Sequence, residues 1–289
     1  MSLGASAIGA SFSFINPFQV GIAQKVAGLE LLSGQGFRIA FLLPAWAIWI
    51  AGTMLFARRT RVPPAPVPVD APGQAQAGWR HAAVLLVVVG AFAVFIVGVL
   101  KYGWDFDQLA AVFFVMGAVA GLVGGLRLAG TAEGFVEGFR GIAFAALLIG
   151  FARAIYVVLD HGRVVDTMVQ GLFAPVAQLP TTVAAWGMMA GHAIVHVPVP
   201  STSGQAVLTL PLLVPLSDLI GLSRQVTVLA YQYGAGLCEI LTPTNGALMA
   251  MLAASGVRYE EWLRFALPLS GILFALGAVA VAVGVAVGL

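Results

Sequence analysis

The chain has 289 residues, of which 60% are hydrophobic and 9% charged, and its formal net charge is +2 at pH 7. An ordinary soluble domain carries about 25% charged residues, so the composition excludes one and predicts a polytopic membrane protein surrounded by lipid. The charges lie in loops rather than in one patch, which gives no indication of a nucleic-acid partner. The single cysteine, Cys238, excludes an intrachain disulfide.

Apolar windows of about 20 residues, long enough to cross a bilayer, follow one another along the chain. The first, Leu3 to Leu32, is interrupted at Asn16-Pro17. The next apolar windows are 37–56, 81–100, 109–128 and 141–159. A short interfacial helix is expected at 133–140, directly before the last of them. A linker rich in proline and arginine at 58–80 is predicted to be extended and solvated.

Residues 184–220 are apolar but carry a polar, proline-containing stretch from Pro200 to Gly204. The length fits two half-length helices that turn at this stretch better than one membrane-spanning helix. We therefore expect a re-entrant hairpin that enters and leaves the membrane on the same side.

A second polar break lies inside the apolar segment 225–256, at Thr242-Pro243-Thr244-Asn245-Gly246. In hydrocarbon every backbone N–H and C=O must be paired, so an unwound segment survives only where it lines a cavity within the protein. The break therefore indicates a binding site. A final membrane-spanning helix is predicted at 262–289.

The linker at 58–80 contains four arginines and one aspartate, which predicts a cytoplasmic location. Counting spans in both directions from the linker makes the two broken helices antiparallel. Pro17 and Pro243 are 226 positions apart, as are Arg38 and Arg264 (243 − 17 and 264 − 38). These matches predict an inverted-topology repeat with its substrate near the membrane midplane.

We accordingly divide the chain into 1–57, the end of repeat 1, then the linker 58–80, then repeat 2 at 81–289. Repeat 2 comprises three spans, the hairpin, the broken helix and the final span. The repeat also predicts a first hairpin and further spans before Met1, about 150 residues by extrapolation. A truncated product and a split transporter completed by a second polypeptide are both open at this point.

The hairpin tip and the second break present helix N-termini, which carry partial positive charge. Hydroxyl and amide donors at the same depth suit a substrate carboxylate, and exposed carbonyls suit Na⁺. The predicted substrate-binding residues are Ser201, Thr202, Ser203, Gly204, Thr242, Thr244, Asn245 and Asn16. The alternative is that these small polar residues only satisfy the broken backbone.

Glu239 is the one acid deep in the second apolar segment, one helical turn before Pro243. Carboxylates within a membrane are costly and indicate function, so Glu239 is a candidate for proton coupling. The alternative is a carboxyl group that faces a water-filled vestibule or pairs with a neighbour. The other predicted ion-coupling positions are Ser13, Pro243 and Gly246.

His192 and His196 have the i,i+4 spacing of metal ligands, but no Cys, Asp or Glu nearby in sequence completes a site. We therefore expect hydrogen-bonding histidines, no metal and no cofactor beyond a coupling Na⁺ or H⁺. An intramembrane serine protease that uses Ser201 or Ser203 is a remote alternative, because that chemistry needs a serine and a histidine within hydrogen-bond reach.

The motifs resemble the YfcC-like branch of the C4-dicarboxylate anaerobic carrier (DcuC) family, in the ion transporter superfamily, from about residue 4 to residue 268. They are Ser201-Thr-Ser-Gly-Gln-Ala-Val-Leu-Thr-Leu-Pro211, Ser223-Arg-Gln-Val226, Tyr231-Gln-Tyr-Gly-Ala-Gly236, Thr242-Pro-Thr-Asn-Gly246 and Asn16-Pro-Phe-Gln-Val-Gly-Ile-Ala-Gln24. The family pattern implies aspartate at 235 and asparagine at 239, where this chain has Ala235 and Glu239. These departures leave the substrate and the coupling ion open.

The resemblance implies an all-α inverted-repeat secondary transporter of the elevator type in the bacterial inner membrane. The implied activity is transport of C4-dicarboxylates, other small organic anions or amino acids, basic ones included, coupled to Na⁺ or H⁺ or run as exchange. A homodimer is expected for the full-length protein, and an enzymatic activity is not. The competing hypothesis is a truncated or split, non-transporting membrane fragment that needs a partner.

Overall fold

The computed structural model describes residues 2–61, 78–104 and 106–289, so most of the predicted linker lies outside the described residues. All regular structure in these ranges is helical, which confirms the all-α class. The α-helices, in order, are α1 (Ser2–Ser11), α2 (Ile22–Val26), α3 (Gln35–Arg59), α4 (Trp79–Tyr102), α5 (Phe106–Gly124), α6 (Arg127–His161), α7 (Val164–Phe173), α8 (Thr181–Val195), α9 (Thr202–Leu219), α10 (Arg224–Cys238), α11 (Gly246–Ala254) and α12 (Tyr259–Val287). A π-helix at Pro17–Gly21 precedes α2, and a 3₁₀-helix at Ala174–Gln178 follows α7.

Within the described residues, four helices are long and apolar enough to cross a membrane: α3, α4, α5 and α12. The segment predicted as a re-entrant hairpin contains the helices α8 and α9, and the predicted broken helix contains α10 and α11. The re-entrant course of the hairpin stays a prediction. The inverted repeat and the antiparallel orientation of the broken helices stay predictions.

Residues 127–161 differ from the prediction. They form the single helix α6, where the sequence suggested an interfacial helix followed by a separate span. The segment contains no proline, and a glycine in a helix interior costs only about 1 kcal/mol relative to alanine. Gly134, Gly138 and Gly141 therefore do not end the helix.

The described residues separate into two compact units, one within the ranges 1–61 and 144–289 and one within the range 62–143. In the second unit α4 packs on α5. A Cβ on Gly121 would lie 2.6 Å from the Thr131 hydroxyl, and one on Gly117 would lie 2.9 Å from the Phe135 ring. Glycine is thus required where α5 approaches α6.

Helix α10 is the centre of the first unit. Every residue from Val226 to Cys238 is buried, and the helix packs against α1, α8, α9 and α12. A Cβ on Gly234 would lie 2.3 Å from the backbone oxygen of Met189, so α8 and α10 touch through their backbones. Close contacts of this kind are typical of helices packed within membranes.

Candidate functional site

The first break, between α1 and the π-helix, is stabilised by its own side chains. The Ser13 hydroxyl accepts a hydrogen bond from the Ile15 N–H at 3.1 Å, and Asn16 Oδ1 accepts one from the Phe18 N–H at 3.0 Å. Local bonds of this type replace helical hydrogen bonds where the chain turns. The hydroxyl of Ser13, a predicted ion-coupling residue, therefore forms a hydrogen bond within the break.

The second break covers residues 239–245 and ends at Asn245, which caps α11. Asn245 Oδ1 accepts hydrogen bonds from the N–H groups of Ala247 at 3.0 Å and Leu248 at 3.2 Å. The amide nitrogen must then point away from α11, and it donates to the Glu239 carbonyl at 3.1 Å and to Glu239 Oε2. One side chain thus begins the helix and holds the carboxylate.

The two breaks meet at a cavity of ≈ 220 Å³ in the first unit. Asn16 lines it from the first break and Gln19 from the π-helix that follows, Thr202 from the start of α9, and Glu239 and Asn245 from the second break. The rest of the wall is apolar or small: Ser6, Ala7, Ala10, Ser11, Gly236, Ile240, Ala247, Leu248 and Met251. A concave, mostly apolar surface with a few polar groups is the usual form of a small-molecule site.

Four of the predicted site residues therefore come together: Asn16, Thr202, Glu239 and Asn245. The other predicted residues lie in or beside the breaks or at the start of α9 and do not line the cavity; they are Ser13, Ser201, Ser203, Gly204, Thr242, Pro243, Thr244 and Gly246. Ser201 Oγ accepts from the Gly204 N–H at 3.2 Å and caps α9. Thr244 donates its hydroxyl hydrogen to the Val197 carbonyl and so ties the second break to the hairpin.

The two predicted hydrogen-bonding histidines are fully buried and join the arms of the hairpin. Gln205 of α9 approaches His196 Nδ1 through Oε1 at 3.0 Å, and its Nε2 approaches His192 Nδ1 at 3.1 Å and donates to the His192 carbonyl at 2.8 Å. The hydrogen-bonding role is confirmed. Within the described residues, no group of three His, Cys, Asp or Glu side chains could hold a metal ion.

The serines of the hairpin tip have no catalytic partner in the described part of the chain. Ser203 Oγ lies 3.4 Å from Ser201 Oγ, and no hydrogen bond joins either serine to His192 or His196. A serine nucleophile needs a base within about 3 Å, so the geometry gives the protease hypothesis no support.

Sequence inspection missed Gln232, the polar residue at the centre of α10. Its Nε2 donates to the Ser13 carbonyl at 2.7 Å, and its own carbonyl accepts from Gln19 Nε2 at 3.0 Å. Gln232 Oε1 accepts from Arg38 Nε at 3.0 Å. The available signal was a glutamine inside a helix buried on all sides, since buried polar groups need partners.

The described residues form a helical membrane protein with a cavity between two interrupted helices, an arrangement that is typical of secondary transporters. The chain belongs to the DcuC family, described as C4-dicarboxylate anaerobic carrier, whose family model matches residues 2–286. This confirms the resemblance that the hairpin and break motifs indicated.

Two curated proteins are similar over nearly the whole chain. "Putative basic amino acid antiporter YfcC" of Escherichia coli (strain K12) is 36% identical over 96% of this chain and 59% of its own length. An "Uncharacterized protein" of Haemophilus influenzae is 29% identical over 97% of this chain and 58% of its own length. The chain thus spans less than two thirds of these relatives. No solved structure matches it.

Proposed function

We propose that this chain forms a secondary active carrier for small organic anions or amino acids in the bacterial inner membrane. The observation that supports this most directly is the cavity bounded by both broken helices and by the first residue of α9. Interrupted helices that meet around a site are the recurring substrate-binding arrangement of secondary transporters. An elevator movement, a homodimer and coupling to Na⁺ or H⁺ belong to the same proposal.

Within this class, the cavity favours an amino acid over a dicarboxylate. Among the described residues that line the wall, Glu239 is the one ionisable side chain, and none of them is a lysine or arginine. An ionised carboxylate there attracts an ammonium group and repels a second carboxylate. We expect the substrate's own carboxylate to be accommodated by the amide of Asn16 and by the partial positive charge at the start of α9.

The name of the relative from Escherichia coli also supports an amino acid substrate, since it describes a basic amino acid antiporter. A basic amino acid carries a second cation, which is compatible with described wall residues that include one carboxylate and no positive side chain. We therefore propose basic amino acids as the first substrates to test, with C4-dicarboxylates as the second class.

The test is uptake of radiolabelled L-arginine, L-lysine or succinate by the purified chain in proteoliposomes, under Na⁺ and proton gradients and in exchange mode. We expect saturable uptake of the amino acids. Asn245→Ala should lower it at least about tenfold, the equivalent of one lost charge-assisted hydrogen bond. Gln170→Ala on the exposed surface of α7 is the control. Absence of uptake in every mode would contradict the proposal.

The competing hypothesis, a chain that acts only together with a further polypeptide, makes a different prediction for the same preparation. Equilibrium binding of L-arginine would then be detectable while uptake is absent. Uptake by the chain alone would reject this alternative.

A further inference from the structure

A carboxylate and an imidazole face each other beside the cavity. His196 Nε2 lies 3.8 Å from Glu239 Oε1, with the imidazole fully buried and the Glu239 side chain 31% exposed. Nε2 of His196 has no hydrogen-bond partner within the described residues. A buried nitrogen without a partner, directed at a carboxyl oxygen that lines the cavity, requires an explanation.

Gln205 determines which nitrogen of His196 carries hydrogen. Gln205 Nε2 donates to the His192 carbonyl at 2.8 Å, and a carbonyl can only accept. The amide oxygen therefore faces His196 Nδ1 at 3.0 Å, and Nδ1 must carry the hydrogen. In the neutral ring, Nε2 is then a lone pair that faces Glu239.

Asn245 determines which oxygen of Glu239 is available. Because Asn245 Oδ1 is used in capping α11, its Nδ2 is the group that donates to Glu239 Oε2. Oε2 is thus already an acceptor in a hydrogen bond. The oxygen left to take a proton is Oε1, which is the one that faces His196.

We propose that Glu239 Oε1 and His196 Nε2 together form a proton-binding site, and that its proton is the coupling ion of the carrier. Without a proton, two lone pairs face each other across 3.8 Å. One proton taken up from the aqueous solution gives either a neutral carboxyl beside the neutral imidazole or a carboxylate paired with an imidazolium, and a direct O–H···N hydrogen bond in the first form requires the two atoms to approach to about 3 Å. Both forms contain the same single proton and the same net charge.

The other titratable groups around His196 and Glu239 bear on which of the two groups holds the proton. The titratable groups that face it are Tyr231 and Cys238 on α10 and His192 on α8. The Tyr231 hydroxyl is engaged with the Thr202 carbonyl at 2.7 Å. Within the described part of the chain, His196 is the one basic group in ion-pair distance of Glu239.

The position of the pair explains how one proton can control transport. Glu239 lines the cavity, whereas His196 connects through Gln205 to both arms of the hairpin. An ammonium group in the cavity and a proton on Oε1 compete for the same carboxylate. The coupling role rests on the proposed function, but the proton site itself is a property of the chain alone.

The site is tested without transport by nuclear magnetic resonance of the full chain in micelles, with ¹⁵N-labelled histidine and ¹³C-labelled glutamate. The sequence contains four histidines, and His196→Asn assigns the signal while retaining a donor toward Gln205. We expect hydrogen on Nδ1 of neutral His196, and one titration step shared by His196 and Glu239. Glu239→Gln should remove that step, whereas His161→Gln, on an exposed residue, should leave it unchanged.

Hydrogen on Nε2 of the neutral ring, or an unchanged His196 titration in the Glu239→Gln variant, would overturn the proton site. Monodisperse elution of both variants shows that they have folded. In proteoliposomes, accumulation driven by a proton gradient should fall at least about tenfold in His196→Asn, or about 1.4 kcal/mol of transition-state stabilisation. Undiminished accumulation in this variant would overturn the coupling role. If the wild-type chain moves no substrate, the result counts against the proposed function, and the resonance titration alone tests the proton-binding site.

Discussion

Arg38 Nε donates to Gln232 Oε1 across 3.0 Å, and both side chains are completely buried. The same guanidinium also donates to the Ser33 carbonyl at 2.7 Å and to Gln225 Oε1 at 3.1 Å. In the described residues no carboxylate lies within ion-pair distance of Arg38. A buried cation is therefore held by neutral acceptors, and Gln232 connects it to the first break.

Replacement of Gln232 by leucine should be strongly destabilising, by about 3–5 kcal/mol, because a buried charge and the Ser13 carbonyl both lose a partner. Gln232→Glu should cost less, since it offers Arg38 a carboxylate and gives up only the donor to Ser13. The measurement is thermal unfolding in detergent, followed by the monodisperse fraction. Equal losses for the two variants would show that Arg38 does not depend on residue 232.

Close backbone approach between α8 and α10 gives a second prediction. Gly234→Ala introduces a Cβ 2.3 Å from the Met189 carbonyl oxygen, and backbone atoms cannot move aside as a flexible side chain does. We expect a loss of about 1–3 kcal/mol from overpacking.

The matched control is Gly271→Ala in α12, where an added Cβ meets nothing within 4 Å. Alanine has the higher helix propensity, so this variant should be neutral or slightly more stable in the same unfolding assay. A Gly234→Ala variant as stable as Gly271→Ala would contradict the close packing of the two helices.

The turn between α9 and α10 carries an exposed ion pair. Arg224 Nη2 lies 2.6 Å from Asp218 Oδ2, and Nη1 donates to the Ala27 carbonyl at 3.1 Å. Hydrogen bonding and charge from Arg224 hold the pKa of Asp218 below its ordinary value. A lowered pKa in the folded state contributes stability above the ordinary pKa of aspartate, and this stability is lost as the pH falls through the lowered value.

We therefore expect Asp218→Asn to unfold slightly more easily than wild type at neutral pH and equally easily at strongly acidic pH. The difference should shrink in high salt, because exposed ion pairs are screened. Thermal unfolding at several pH values and salt concentrations provides the measurement. A difference that grows toward acid would have the wrong sign for this pair.

The sequence predicted the helical class, the interruption between α8 and α9 and both breaks, because proline, glycine and small polar residues are conspicuous in apolar segments. It also predicted Glu239 and Asn245 individually. It did not predict their hydrogen bond, nor the contact with His196, because His196 is 43 positions before Glu239 (239 − 196), at the end of α8, whereas Glu239 follows α10. Pairings of that separation follow from packing and not from local pattern.

For Arg38, a match in the sequence did not correspond to a match in the structure. The predicted repeat pairs Arg38 with Arg264, yet Arg38 is fully buried while Arg264 is exposed. Equal spacing along the chain did not imply equal surroundings, because only Arg38 lies against a helix that offers glutamine acceptors.

Asn245 gives the last prediction, because it both caps α11 and donates to Glu239. Asn245→Ala loses both functions, and the lost cap should cost about 1 kcal/mol at every pH. Asn245→Asp retains an acceptor for the Ala247 and Leu248 N–H groups but places a second carboxylate beside Glu239. Two adjacent carboxylates resist being ionised together, so its loss of stability should grow with rising pH. Unfolding of both variants between acidic and alkaline pH checks this, and parallel pH profiles would show that Asn245 acts only as a cap.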